Sequence, residues 1–196
     1  FEPNPRPHAR LEAACRANGL SQVTLHRCGL GDRPGELVMS VRSGASTTGT
    51  LGRVPPEEEA KVTERFTVPV CRADDMLPAD LTDVSLIKTD TEGYETAVLR
   101  GMERTLRQTR APLVIEIVEK HLRGAGSSAE ELFALLSGHG YRGYLFDARR
   151  TGPLLRQNLQ LHPATDPVHS VGRSRNFLWL HPESVAFKRM RPQVVA

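Results

Sequence analysis

The sequence predicts an α/β fold with a mostly parallel sheet. Strand-like and helix-like runs alternate through the middle of the chain: "VSLIKTD" (84–90), "YETAVLRGMERTL" (94–106), "PLVIEIVE" (112–119), "SSAEELFALLSGHG" (127–140) and "YRGYLFD" (141–147). The strand runs at 84–90 and 112–119 are apolar with little alternation, as in strands covered on both faces. A strand–helix–strand–helix–strand order implies right-handed crossovers between parallel strands.

Each element has its own signal. Phe1-Glu2 reads as the end of a strand, closed by a turn at Pro3, Asn4 and Pro5. Residues 10–18 read as a short amphipathic helix with Leu11, Ala14 and Cys15 on one face and Gly19 as its stop. "QVTLHRC" and "ELVMSV" flank the turn "GDRPGE", which predicts a hairpin over 22–41. "RSGASTTGTLG" is a small-residue loop, "PPEEEAK" starts a helix, and "FTVPVC" is a strand in which Pro69 marks an edge or irregular position. In 94–106, Tyr94, Ala97, Val98, Gly101, Met102 and Thr105 share a helical face. Ser128 and Glu131 make a capping box for the next helix. "NFLWL" (176–180) is the last strand, after a long irregular connection over 149–174. The expected domain covers 1–183, followed by a partly disordered tail over 184–196.

Composition narrows the class. The 196 residues suit one domain. The net charge of +3 and 5% aromatic content leave no concentrated basic stripe with stacking rings, so no nucleic-acid partner is expected. No apolar run reaches the roughly 18 residues of a membrane span. Cys15, Cys28 and Cys71 show no CxxC spacing, which argues against a disulfide framework and suits the cytoplasm. The seven histidines form no metal-binding pattern, so no metal is expected. The arginine-rich composition suits a high-GC bacterial gene.

The densest chemistry lies in "IKTDTEGYE" (87–95). Ligands of open α/β sheets sit beyond the carboxyl ends of strands, where Asp90 stands. One reading makes Thr89 or Asp90 a helix cap, with Glu92 and Glu95 decorating the first turn. The other makes Asp90 and Glu92 reactive groups. Lys88 shares a strand face with Leu86 and Asp90, and Glu116 interrupts "VIEIV" on the next strand. A charge inside a central strand is costly without a partner. Lys88 and Glu116 therefore either form an ion pair in a common cleft or sit on a solvated edge. "GAGSSA" offers Gly124 and Gly126 as a dinucleotide loop, with Asp147 about 20 residues on. Against it, "EKHLR" separates the strand from Gly124. "CGLGDRPG" leads into a turn, so it is no phosphate loop, and there is no GxSxG elbow.

"FEPNP", "NGLSQVTLHRCGLGDRPGEL", "DLTDVSLIKTDTEGYETAVLRGMERTL" and "APLVIEI" together resemble the FkbM family of methyltransferases, from residue 1 to about 147. The resemblance implies a Rossmann-like class I methyltransferase sheet with an antiparallel last strand, and S-adenosylmethionine as cofactor. It implies that Glu2 holds the ribose hydroxyls, with Asn4 beside it, and that Cys28, Gly29 and Leu30 line the adenine pocket. It places Asp90 and Glu92 beside the transferred methyl group, with Lys88 and Glu116 shaping the field. The implied partner is a small-molecule hydroxyl acceptor such as a sugar or polyketide, methylated on oxygen; alcohols are weakly acidic, so a carboxylate is the expected base, Asp90, with Glu92 as helper or substrate contact.

The glycine-rich loop of that class, with its strand and helix, precedes the "FEP" strand and is missing here. The chain therefore reads as a fragment that lacks its first strand and helix and binds the cofactor poorly alone. Two other function classes remain: a nicotinamide-dependent oxidoreductase using Gly124 and Gly126, and a non-catalytic, degenerate methyltransferase module. The oligomeric state is not set by the sequence.

Overall fold

The computed structural model describes residues 1–42, 49–51, 54, 56–151, 156–167, 170–171, 176–190 and 194. The chain forms a mixed α/β fold with two sheets and divides into two compact units: Phe1–Pro78 with Ala97–Met102, and Ala79–Thr96 with Glu103–Ala196.

The first unit opens with α1 (Pro5–Ala17). The helix starts earlier than its apolar face suggests. Pro5 stands at the first helical position, where its missing N–H costs nothing, and the Asn4 side chain accepts from Arg6 N at 3.1 Å. Strands β1 (Gly29–Leu30), β2 (Gly35–Arg42), β3 (Gly49–Leu51) and β4 (Val62–Cys71) form a sheet in the order β1-β4-β2-β3. The hairpin expected over 22–41 does not form. Residues 23–27 are not strand, and β1 pairs in parallel with β4, while β2 turns back on β3 and β4. Val68 and Val70 of β4 are buried while Thr67 and Pro69 are exposed, so one face of β4 carries the core with Met39, Val41 and Leu51. A 3-10 turn (Pro56–Lys61) precedes β4, and α2 (Ala73–Met76) follows it. The small-residue loop lies partly in 43–48, outside the described residues.

The second unit holds β5 (Ile87–Thr89), β6 (Leu113–Glu116), β7 (Arg142–Thr151), β8 (Arg156–Pro163) and β9 (Asn176–Leu180), in the order β5-β6-β9-β7-β8. β5 and β6 are parallel; β9 is antiparallel to both β6 and β7. The expectation of one mostly parallel sheet is corrected here. The expected antiparallel last strand is present as β9 between β6 and β7, and β5, β6 and β7 run the same way; the departure is a second sheet, in which β2 pairs antiparallel with β3 and β4, and β8, which pairs antiparallel with β7. The connection over 149–174 is also less irregular than expected, since β7 runs to Thr151 and β8 pairs with it. Residues 152–155, 168–169 and 172–174 of that stretch lie outside the described residues.

The run 94–106 is two helices, α3 (Glu95–Arg100) and α4 (Glu103–Thr109). The break falls at Gly101, where a Cβ would come within 1.9 Å of Gly31 O, so the backbones touch where a continuous helix would carry a side chain. α5 (Glu119–Gly124) and α6 (Ala129–Gly138) follow β6. The Ser128 half of the capping box forms, with Glu131 N donating to Ser128 Oγ at 3.2 Å, while Glu131 Oε2 accepts from Ser127 Oγ at 2.7 Å. α6 buries Leu132, Phe133 and Leu136, and Phe133 meets Phe177 and Trp179 of β9 edge to face at 5.6 and 4.7 Å. The C-terminal tail contains α7 (Val185–Met190), whose Ala186, Phe187 and Met190 pack on Tyr144, Leu161, Leu178 and Leu180. Among the described residues no helix is long and apolar enough to cross a membrane.

Candidate active site

The register of β5 and β6 builds one cluster. Lys88 pairs with Val114 and Thr89 with Ile115. Side chains alternate along a strand, so Lys88 and Asp90 share one face with Val114 and Glu116. Asp90 and Glu116 stand next in register at the carboxyl ends of parallel neighbours. Lys88 Nζ donates to Asp90 Oδ2 at 2.7 Å, and the Glu116 carboxyl shares a hydrogen bond with Asp90 through a proton that one of the two carboxyls carries. Partial burial pushes the Asp90 carboxyl up; the bonds from Lys88 and Glu116 and the Lys88 charge outweigh it, so Asp90 lies below its ordinary value.

Two expectations are corrected by this geometry. Lys88 Nζ pairs with Asp90, two residues on along the same face, so the expected partnership of Lys88 with Glu116 alone becomes a cluster of three ionisable groups. Lys88 is not buried in a central strand: β5 is the outer strand of its sheet among the described residues, and the Lys88 side chain is 55% exposed. The solvated-edge reading holds for Lys88.

The loop after β5 is held by Glu95. Its Oε1 accepts from Thr91 N at 2.8 Å, Thr91 Oγ1 at 3.0 Å and Gly93 N at 3.2 Å. Glu95 is 2% exposed. α3 begins at Glu95, so neither Thr89 nor Asp90 caps it. The loop takes two left-handed residues, Glu92 at φ 55° and Gly93 at φ 108°. A Cβ at Gly93 would lie 2.3 Å from His121 O, so the loop backbone rests directly on the first turn of α5. That approach brings Glu92 Oε2 to 3.1 Å from His121 Nδ1. The strained φ of Glu92 is of the kind that survives only where its surroundings over-determine it.

The residues expected to hold a nucleotide lie in the first unit. Glu2 N donates to His26 O at 2.9 Å, and Glu2 Oε1 accepts from Asn4 N at 2.7 Å. Phe1 stacks on His26 with ring centroids 4.6 Å apart. Asn4 is buried and spends its side chain on capping α1. Cys28 is buried against Cys71, and burial pushes its thiol up to about 11, with the Cys71 contact adding to the rise. Gly29 is packed: a Cβ there would sit 3.0 Å from Leu51 Cδ1 and 3.6 Å from Val70. Leu30 is half-buried.

Gly124 and Gly126 do not form a phosphate loop. Gly124 ends α5, so a helix separates it from β6. The amides at the start of α6 are already used: Ala129 N donates to Glu119 Oε2 at 2.8 Å and Glu131 N to Ser128 Oγ.

Reading the sequence missed Glu95 as the loop's organiser and His121 as the partner of Glu92. The "EGYE" spacing was the available signal for Glu95. No spacing signals His121, because its contact depends on the approach of Gly93.

The sequence model of the Methyltransferase FkbM domain matches residues 1–142. No curated protein matches the chain. A solved structure of methyltransferase FkbM from Methylobacillus flagellatus KT is similar, with 19% identity and a TM-score of 0.45; the match covers 92% of this chain. This chain spans 35% of that protein's length. With nearly three quarters of its residues inside the domain match, this chain belongs to the FkbM methyltransferase family.

Proposed function

We propose that this protein transfers a methyl group from S-adenosylmethionine to a hydroxyl oxygen of a small molecule such as a sugar or polyketide. Family membership supports methyl transfer. The observation that carries the rest is the set Lys88–Asp90–Glu116 at the carboxyl ends of neighbouring parallel strands, with Glu92 on the loop that follows. The sheet of the second unit supports a Rossmann-like class I arrangement: β5, β6 and β7 run the same way, with β9 antiparallel between the last two.

Glu2 fits a ribose. One carboxylate oxygen is taken by Asn4 N; the other has no partner among the described residues and is not sealed from solvent, so it can accept from a hydroxyl. Leu30 is assigned to the adenine. Asn4, Cys28 and Gly29 shape that segment from behind, through the helix cap, the thiol contact and the close packing described above.

Bound S-adenosylmethionine supplies a methyl carbon activated by its sulfonium. The residues of this chain must hold the acceptor oxygen in line with that carbon and remove its proton. Asp90 suits the first task better than the second. Its lowered proton affinity and its bond to Lys88 make it a weak base and a durable hydrogen-bond acceptor. We assign Asp90 to orienting the acceptor hydroxyl, and Lys88 and Glu116 to holding Asp90.

Calorimetric titration of S-adenosylhomocysteine tests this reading, with this chain and a form extended upstream as samples. Binding by either protein that Glu2→Ala abolishes supports it. Two folded proteins that give no binding heat overturn it.

A further inference from the structure

The site described above contains a carboxylate with reduced proton affinity and no assigned proton acceptor. His121 has the geometry for that task. Glu92 Oε2 engages its Nδ1 at 3.1 Å. The other ring nitrogen, Nε2, has no partner among the described residues and is not sealed from solvent. The backbone of His121 is fixed by the bond from its N–H to Val118 O at 2.9 Å and by the close approach of Gly93. A carboxylate on Nδ1 leaves the proton there and the lone pair on Nε2. Imidazoles as a class are stronger bases than carboxylates by about two pKa units, and the ideal base lies near the working pH.

We propose that His121 takes the proton of the acceptor hydroxyl, with Glu92 as the carboxylate that holds its tautomer and stabilises the imidazolium that forms. The inference rests on the methyl-transfer reading. The acceptor O–H bond breaks and its proton passes to Nε2. The oxygen forms its bond to the methyl carbon, and the electron pair of the broken C–S bond leaves with sulfur. The Glu92 carboxylate then faces the imidazolium across the same 3.1 Å contact. Its left-handed φ is the strain accepted to place it there.

Long-range proton–nitrogen NMR of the labelled chain at neutral pH reads the tautomer, with His121 identified by the signals lost in His121→Gln. The expected result is a proton on Nδ1 and a bare Nε2. Glu92→Gly removes the carboxylate without adding backbone strain, and should return His121 to the Nε2–H form. A wild-type His121 protonated at Nε2 and bare at Nδ1, or a tautomer unchanged by Glu92→Gly, overturns the proposal. A second readout uses the form that binds S-adenosylhomocysteine, with release of that product measured over a panel of sugar and polyketide alcohols. His121→Gln should lower turnover roughly 10²–10⁴-fold and leave product affinity within about twofold. Retained turnover overturns the role of His121. Absence of product binding in the wild type overturns the methyl-transfer reading, and this inference with it. Binding by the wild type together with the wrong tautomer overturns the inference alone.

Discussion

Glu92 and His121 meet at 3.1 Å because a glycine stands between them and the alternative. Gly93 sits at φ 108° with its α-carbon so close to His121 O that a methyl group there would overlap it, at 2.3 Å. The pair is therefore a product of backbone packing between a strand-end loop and a helix turn, both within the second unit.

Gly93→Ala should destabilise the protein by about 1–3 kcal/mol from backbone strain alone, with the overlap adding to it. Urea unfolding measures the loss, and the NMR signals of His121 should shift in the surviving folded fraction. An unchanged midpoint would mean that the loop does not rest on α5 as described.

Glu95 makes a second prediction. It is nearly inaccessible and its Oε1 receives two backbone N–H groups and one hydroxyl. Glu95→Ala leaves those donors without an acceptor, which costs about 3 kcal/mol when the groups are buried. Glu95→Gln keeps one acceptor oxygen in place and should retain most of the stability. Equal losses for the two variants in denaturant titrations would rule out the hydrogen bonds as the cause.

The parts of the fold that were legible in the sequence are those specified locally. α6 follows from Ser128, Glu131 and the apolar period of Leu132, Phe133 and Leu136, and the structure keeps all of them. β6 follows from its apolar run. The parts that were not legible depend on distant partners. β1 looks like half of a hairpin from its own residues, yet it pairs with β4, some forty residues on (Gly29 with Val70). β9 inserts between β6 and β7, which no local pattern specifies. The same division runs through the site. Strand alternation put Lys88, Asp90 and Glu116 on one face correctly. The bond between Lys88 and Asp90 was not specified by that alternation, and His121 enters only through the approach of Gly93.

The cysteines should differ sharply in reactivity. Cys28 is buried beside Cys71, and burial raises its thiol to about 11, so almost none of it is thiolate at neutral pH. Cys15 and Cys71 are both half-accessible. A disulfide reagent near neutral pH should modify Cys15 fast and Cys28 only on global unfolding. Mass spectrometry of the labelled peptides reads the order. Early labelling of Cys28 would contradict its burial.

Acid stability should carry the signature of Asp90. Its folded-state value lies below the ordinary one because Lys88 and Glu116 bond to its carboxylate against the effect of partial burial. A depressed carboxylate stabilises the fold in full above its unfolded value, about 3.9 for aspartate, and loses that contribution as pH falls through the lower folded value. The Asp90 side chain is 41% exposed, so the contribution belongs to the solvent-screened class worth about 0.2–1 kcal/mol. Urea midpoints of the wild type and Asp90→Asn, compared across the acid range, isolate it. The wild type should exceed the variant by a constant amount above the aspartate range, and the two should converge below it. Lys88→Met should move that convergence to higher pH, since removing the amine returns Asp90 towards its ordinary value. If the gap instead widens on acidification, Asp90 is raised in the folded state, and the assignment of Asp90 as a weak base that only orients the acceptor must be reversed in favour of proton transfer to Asp90 itself.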